Sequence, residues 1–148
     1  MQKMICMVGL PKSGKSTYVD SFLKNTYQII CADDIRLALG SAFNVGTEPF
    51  VWAIHNAMIE AYMFRRFDIC LDSTNTKEER LDKYHFLAKK YDYDFKLIVM
   101  DTPKNVCLSR CDNNVLRNVI ERMNLQFNEL QETDFYKNCN KKMVKYDF

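Results

Sequence analysis

Residues 9–17 carry a pattern by which proteins wrap a phosphate group. The stretch reads Gly-Leu-Pro-Lys-Ser-Gly-Lys-Ser-Thr and fits G-x-x-x-x-G-K-S/T between a predicted strand and a predicted helix. Glycine lets the backbone approach an anion closely, and the amides that open the helix point at phosphate oxygens. In this pattern Lys15 reaches the β- and γ-phosphates of ATP, and the Ser16 hydroxyl binds Mg²⁺. The predicted nucleotide-binding residues are Gly9, Lys12, Ser13, Gly14, Lys15, Ser16 and Thr17.

Two carboxylates, Asp33 and Asp72, each follow a short apolar run that predicts a strand. Functional groups gather at the carboxyl ends of parallel strands, so both are expected beside the phosphate. Asp33 is predicted to take the proton of an acceptor hydroxyl, and Arg36, one helical turn later, to bind a phosphate of that acceptor. The alternative for this pair is a helix cap and a surface arginine. Asp72 or Ser73 would hold the acceptor or a metal-bound water, or else cap the next helix.

Three classes of protein use such a loop: kinases, NTPases that activate water, and passive nucleotide-binding modules. A GTPase carries Asn-Lys-x-Asp to read its base, and the nearest string, Asn-Lys-Lys-Met at 140–143, lacks the aspartate. A mechanical ATPase usually has a strand that ends in Asp-Glu, and neither residues 33–34 nor residues 72–73 supply that pair. These differences favour a kinase. A kinase of a small acceptor (nucleoside, sugar or antibiotic) and a non-catalytic nucleotide-binding adaptor remain the alternatives.

Apolar runs alternate with amphipathic segments along the chain, and these elements must position the residues above. Strands are predicted at residues 4–8, 27–31, 68–72, 95–100 and 142–146. Helices are predicted at 15–24, at 35–39 with Asp33 as its cap and Gly40 as its end, from 48, at 77–90, from 102 and at 115–130, with 41–47 as a loop. The alternation predicts an α/β three-layer sandwich with a five-stranded parallel sheet, in a single domain over residues 1–148.

Composition describes one soluble globular domain. The 148 residues are 47% hydrophobic, which is enough to bury a core, and 4 Gly with 3 Pro exclude a disordered chain. A net charge of +2 argues against a polycationic coat for nucleic acid, though not against a local basic patch. No apolar stretch has membrane-spanning length, no leader is recognisable and the six cysteines form no CxxC pair. We therefore expect reduced thiols in a cytoplasmic protein, or in the host cytoplasm if the source is viral.

Four strings, in this order along nearly the whole chain, resemble the polynucleotide 5′-hydroxyl kinase family. They are the phosphate-binding loop, Ala-Asp-Asp-Ile-Arg at 32–36, Asp-Ser-Thr-Asn at 72–75 with Arg80 after it, and Arg110 upstream of Val-Ile-Glu-Arg-Met at 119–123. The acidic residue that this family places before Thr-Asn aligns with Ser73, one position after Asp72. The resemblance implies a P-loop kinase fold with a small helical lid at about residues 106–116.

The same resemblance implies an activity: ATP- and Mg²⁺-dependent transfer of the γ-phosphate to the 5′-hydroxyl end of DNA or RNA, in nucleic-acid repair. Carried over, Asp33 is the general base, and Arg36 binds the phosphate on the 3′ side of the acceptor. Arg110, on the lid, clamps the donor phosphates, with Arg117 as a second cation nearby. Lys15 and Ser16 keep their phosphate and magnesium roles. The implied partner is a 5′-hydroxyl nucleic-acid end, with no membrane.

Three residues with ring side chains are the remaining candidates for a role in binding or catalysis. Trp52, near the irregular segment 41–47, is the aromatic residue best placed to stack on a base. His55 and His85 lie within apolar helical stretches, so we expect them to pack or to lie on the surface rather than to catalyse. Cys107 and Cys111 are four residues apart, and packing is expected for them rather than zinc binding because histidine partners are absent nearby.

Overall fold

The computed structural model describes residues 1–40 and 43–145. The strands are β1 (Gln2–Val8), β2 (Gln28–Cys31), β3 (Ile69–Asp72), β4 (Tyr93–Asp101) and β5 (Lys141–Lys145). The helices are α1 (Lys15–Phe22), α2 (Ala32–Ala38), α3 (Glu48–Phe64), α4 (Glu78–Lys90), α5 (Lys104–Ser109), α6 (Asn114–Gln131) and α7 (Asp134–Asn138). Ser41 and Ala42 of the predicted loop, and Tyr146 of the predicted last strand, lie outside the described residues.

The five strands form one parallel sheet in the order β2-β3-β1-β4-β5. β1 lies in the centre, where Cys6 pairs in register with Leu71 of β3 and Leu97 of β4. The five-stranded parallel sheet predicted from the sequence is therefore confirmed. All carboxyl ends lie along one edge, which is where parallel sheets bind their ligands.

Two apolar layers sandwich the sheet, because successive side chains of a strand point to opposite faces. Along β1, Met4, Cys6 and Val8 pack on the face covered by α3, α4 and α6. Ile5 and Met7 pack on the other face, against α1. These five side chains are at most 5% exposed, which explains why β1 reads as a continuous apolar run.

The bounds of three helices, α1, α2 and α7, differ from the prediction. α2 begins at Ala32 with Cys31 as its N-cap, so Asp33 lies inside the first turn and is not the cap. A carboxylate there still interacts favourably with the helix dipole. Gly40 follows α2 with φ of +95°, in the left-handed region that ends helices, as predicted. α1 is shorter than predicted, and the turn-length helix α7 was not predicted.

Among the described residues, no helix combines the length and apolar character needed to cross a lipid bilayer. The cysteines at positions 6, 31, 70, 107, 111 and 139 are free thiols, and three of them are buried, Cys6 and Cys70 in the sheet and Cys107 in α5.

Candidate active site

The chain leaves β1 through a loop that ends at the N-terminus of α1. The Gly9 amide donates to the carbonyl oxygen of Thr74 at 3.0 Å, which ties the loop to the segment after β3. Lys12 and Gly14 adopt left-handed backbone conformations with φ of +67° and +99°. The N-cap residue of α1 is Gly14, which has no side chain to cap the helix, so the amides of the first turn remain oriented toward an anion. The loop has the form of a phosphate cradle.

Gly9 has a packing role in this loop. A Cβ at Gly9 would lie 2.8 Å from Oγ of Ser13 and 3.0 Å from Cβ of Met100. Ser13 is itself fixed, because its carbonyl oxygen accepts a 2.8 Å hydrogen bond from Oγ1 of Thr102 after β4. Gly9 thus lets the loop close on β4, and it does not line the cleft with the other predicted nucleotide-binding residues.

Lys15 is buried beneath the loop that it is expected to complete. Its Nζ donates to the carbonyl oxygen of Leu10 at 2.7 Å and lies 3.5 Å from Oγ of Ser13. Burial lowers the pKa of Lys15 to about 8, against the opposing attraction of Asp72. The ammonium group therefore lies where phosphate oxygens would restore the stabilisation that it loses by leaving water.

Ser16 and Asp72 meet at the carboxyl end of the sheet. Oγ of Ser16 donates to Oδ2 of Asp72 at 3.2 Å. Burial raises the pKa of Asp72, while Lys15 and the Ser16 hydrogen bond oppose that rise. A hydroxyl and a carboxylate are hard oxygen donors, and Mg²⁺ uses one or two protein ligands and takes the rest from water and phosphates. The pair therefore fits Mg²⁺, although the described residues contain no group of three or more acidic, His or Cys ligands.

Asp33 and Arg36 are brought together as the sequence predicts, and a third residue joins them. Nη1 of Arg36 donates to Oδ1 of Asp33 at 2.7 Å. Its Nε and Nη2 donate to both carboxylate oxygens of Glu48, at 2.9 and 2.7 Å. The Arg36 and Glu48 side chains are 17% and 16% exposed, whereas Asp33 is 84% exposed. The partly buried Arg36–Glu48 pair thus holds an open carboxylate over the cleft.

The pKa values of this trio follow from the same contacts. The hydrogen bonds from Arg36 hold the pKa of Glu48 below its ordinary value, with a smaller contribution from the Trp52 side chain. Hydrogen bonds with Glu48, and to a lesser extent Asp33, raise the pKa of Arg36. Glu48 therefore stays ionised and fixes Arg36 between the two carboxylates.

Trp52 lines the cleft together with Asp33 and Arg36. The guanidinium of Arg80, from the first turn of α4, lies 3.8 Å from the centroid of its ring, and that of Arg36 lies 5.8 Å away. Behind the ring lies His55, fully buried, with the two ring centroids 5.0 Å apart. His55 packs as predicted, and the cleft exposes Trp52 beside two arginines.

The segment after β3 fixes the floor of the cleft. Asn75 has φ of +49°, and its Nδ2 donates to the carbonyl oxygen of Met7 in β1 at 2.7 Å. Ser73 lines the cleft, but its Oγ is buried and has no hydrogen-bond partner among the described residues. Of the two alternatives for this segment, Asp72 is the residue placed against Ser16.

The region predicted as a lid comprises the end of α5, residues 110–113 and the start of α6. Nη1 of Arg110 donates to the carbonyl oxygen of Lys12 at 2.9 Å, so this arginine lies on the phosphate-binding loop. Arg117 instead donates to Leu108 at 3.3 Å and braces the segment. The structure brings Arg110 to the predicted donor side. Closure of the segment as a lid stays a prediction.

With the exception of Gly9, the predicted site residues line one cleft of about 1310 Å³. Among the described residues, seven cationic side chains line the cleft against two carboxylates, Asp33 and Asp72. The cations are Lys12, Lys15, Arg36, Lys77, Arg80, Arg110 and Arg122. The small net charge of the chain therefore conceals a locally basic cleft, of the kind that attracts polyanionic ligands.

Three residues that line or support the cleft had no functional role in the sequence interpretation. Glu48 was read only as a helix start, Arg80 had no assigned contact, and Thr102 was read as the start of a helix. The proline at position 49 was the available signal for the start of α3, and it says nothing about the partner of Glu48. Contacts that join separate elements, such as Arg36 with Glu48, leave no periodic pattern in a sequence.

The fold is a P-loop fold of the kinase type. Three features define it: the all-parallel sheet of this strand order, the phosphate cradle after the central strand, and the carboxylate–arginine pair after the edge strand β2. Residues 4–132 match the family described as an AAA domain, and the chain belongs to that family.

Known proteins agree with this assignment. The L-seryl-tRNA(Sec) kinase of Methanococcus maripaludis is 26% identical over 131 residues, which are 80% of this chain and 51% of that protein. A chain of the Pnkp1/Rnl/Hen1 RNA repair complex superposes with a TM-score of 0.78 at 25% identity, over 90% of this chain and 47% of the other. A second Pnkp1/Rnl/Hen1 structure gives a TM-score of 0.67 at 26% identity, over 76% and 40%.

The predicted resemblance to polynucleotide kinases is confirmed by these Pnkp1 neighbours. The chain spans about half the length of the curated relative, and a similar or smaller share of the two solved chains.

Proposed function

We propose that this protein transfers the γ-phosphate of ATP to the 5′-hydroxyl end of a DNA or RNA strand, in nucleic-acid repair. One observation carries the proposal: the exposed carboxylate of Asp33 is held by Arg36 in the same cleft as Lys15 and Ser16. Such a carboxylate opposite a phosphate cradle suits the activation of an acceptor hydroxyl. The RNA repair complexes among its structural neighbours support a nucleic-acid acceptor.

On the donor side, the first-turn amides of α1 and the Lys15 ammonium bind the β- and γ-phosphates. Arg110 is already on the loop and places a second cation beside them. Ser16 and Asp72 would hold Mg²⁺, which when bound neutralises charge on the phosphates. The protein thereby stabilises negative charge on the transferring group and on the departing ADP.

On the acceptor side, Asp33 accepts the proton of the 5′-hydroxyl group while the oxygen of that hydroxyl group bonds to the γ-phosphorus. The bond from that phosphorus to the β–γ bridging oxygen breaks, and ADP leaves with the electron pair. Arg36 keeps the Asp33 oxygen in place through the 2.7 Å ion pair, and Glu48 keeps Arg36 in place. General-base catalysis of this kind contributes about 10²–10⁴-fold to a rate.

A second candidate acceptor comes from the curated relative, whose name describes a kinase of seryl-tRNA. A serine hydroxyl carried on tRNA would present the same chemistry to Asp33, and the tRNA phosphates would meet the same basic cleft. Both candidates are hydroxyl groups attached to a nucleic acid. They differ in whether the hydroxyl belongs to the strand or to the amino acid.

Label transfer from γ-labelled ATP tests the proposal. The acceptors are matched 5′-hydroxyl and 5′-phosphate oligonucleotides of DNA and RNA, a nucleoside mixture and seryl-tRNA. We expect label on the 5′-hydroxyl strands alone, abolished by Lys15→Ala and retained by Lys24→Ala, which removes an exposed lysine just after α1. Label on seryl-tRNA or on nucleosides would move the acceptor to those classes. ATP binding without transfer to any acceptor would contradict the proposal and favour an adaptor.

A further inference from the structure

Helix α3 is apolar on two opposite faces. Its inner face is buried and consists of Val51, His55, Ile59 and Met63. Its outer face, the outer stripe, is exposed and consists of Phe50, Ala53, Ile54, Ala57, Ala61 and Phe64. The helix carries only two charged residues, Glu48 and Glu60, and Glu48 is bonded to Arg36. A helix that is apolar all round is typically buried all round, so the outer stripe is expected to be covered.

The apolar surface around the outer stripe is large for a chain of this size. Phe43 and Val45 lie in the segment that leads into α3, and Phe67 lies just after the helix. Together with Phe50 and Phe64, the phenylalanines are 45–76% exposed and leave about 500 Å² open at about 200 Å² per ring side chain. Val45 and the rest of the stripe bring the area toward the ~800 Å² that each partner contributes to a standard protein interface.

The outer stripe is also symmetric about its middle residue. Phe50 and Phe64 lie seven residues before and after Ala57, and Ala53 and Ala61 lie four residues before and after it. Two copies of α3 that pack antiparallel about a two-fold axis at Ala57 therefore place Phe50 of each copy opposite Phe64 of the other. A two-fold dimer requires such a self-complementary surface. The three alanines at the crossing allow the helix axes to approach to about 8 Å.

We infer that the outer stripe is a homodimer interface, in which a second copy of this chain packs its own α3 antiparallel across a two-fold axis at Ala57. The area and the symmetry of the stripe identify the occupant as a second copy. No cation lies in the stripe, so it does not suit a nucleic-acid strand. The cleft stays open in the dimer, because Trp52 reaches it from the other side of the helix.

Sedimentation equilibrium on wild type and on variants of the stripe tests the inference. Ala57→Glu and Ala57→Lys each place two like charges at the axis, which should raise the Kd of the dimer at least about a hundredfold. Mixing the two variants places a glutamate against a lysine and should restore the dimer. Phe64→Ser removes two buried rings per dimer and should weaken it about a hundredfold. Phe86→Ser, which removes a similarly exposed ring from α4, is the matched control and should leave the mass unchanged.

Thermal unfolding of the wild type supplies a measurement that needs no variant. A dimer that dissociates on unfolding has a Tm that rises with protein concentration, and the Tm of Ala57→Glu should be independent of it. A wild type that is monomeric up to about 100 µM would overturn the inference. A dimer that survives both charge variants, or a mixture of them that stays monomeric, would also overturn it. So would a monomer whose stripe binds a different protein.

Discussion

Replacing Glu48 by glutamine tests whether a residue outside the cleft lining controls the proposed catalytic base, Asp33. Glu48 accepts hydrogen bonds from Nε and Nη2 of Arg36 at 2.9 and 2.7 Å, and Arg36 donates onward to Asp33 at 2.7 Å. The glutamine keeps the shape and one acceptor oxygen. Its amide group, however, is a donor that faces a donor of Arg36, so one hydrogen bond and the charge attraction are lost.

The size of the effect follows from the burial of the pair, whose side chains are 17% and 16% exposed. Losing one hydrogen bond between charged groups costs about 2 kcal/mol of unfolding free energy. For a domain of this length that corresponds to a fall in Tm of about 4–8 °C. A base held less firmly also reacts more slowly, so kcat should fall about tenfold to hundredfold while the KM of ATP stays unchanged.

Thermal unfolding and steady-state kinetics on Glu48→Gln measure both effects. The matched control is Glu132→Gln, since Glu132 is 83% exposed and its oxygen lies 3.8 Å from Lys137. Exposed pairs of that kind contribute less than about 1 kcal/mol. The Tm gap between wild type and Glu48→Gln should also narrow as pH falls below 4.5, because a lowered pKa stabilises the fold only while the carboxylate is ionised. An unchanged Tm and kcat in Glu48→Gln would refute the reasoning.

Three further predictions concern the donor side. Because burial lowers the pKa of Lys15 to about 8, ATP affinity of the nucleotide-free enzyme should weaken as pH rises through 8. Over the same range the unfolded chain holds more protons on this group, so the Lys15 contribution to stability should rise with pH. Calorimetry from pH 7 to 9.5 measures both the ATP affinity and the Lys15 contribution to stability. The expectation would be contradicted if the two quantities changed in the same direction with pH. Arg110→Ala should lower kcat by about 10²–10³-fold, with exposed Arg65→Ala as control, and a wild-type kcat would remove Arg110 from the site.

Much of the fold could be predicted because its signals are local. The apolar run of β1 is buried on both faces, and the glycine and lysine spacing of the loop lies between strand and helix. The sequence also placed Asp33 and Arg36 one turn apart, and their 2.7 Å ion pair follows from that spacing. Local spacing in the chain thus predicts local geometry.

The parts that could not be predicted depend on contacts between separate elements. Glu48 reaches Arg36 from the next helix, and Arg80 reaches Trp52 across the cleft, so neither contact has a sequence period. The cap assigned to Asp33 was wrong because α2 starts at Ala32, three residues before the predicted start, with Cys31 still extended at the end of β2. Propensity cannot fix such a boundary when strand and helix adjoin directly.

The same limit applies to the acidic residue after β3. The resemblance aligned an acidic position with Ser73, and the structure buries the Ser73 hydroxyl while directing Asp72 at Ser16 at 3.2 Å. Strand pleating decides the direction of each side chain, and a shift of one residue reverses it. An alignment of residue types therefore could not decide between Asp72 and Ser73.

The most direct test of the central claim is phosphoryl transfer by wild type and Asp33→Asn from prebound γ-labelled ATP to a 5′-hydroxyl oligonucleotide, measured in a single turnover. Asp33 is 84% exposed and is proposed to face the acceptor rather than ATP, so the variant should fold and bind ATP normally. The account predicts transfer by the wild type and a rate about 10²–10⁴-fold lower in Asp33→Asn. A variant that transfers label at the wild-type rate would contradict the account.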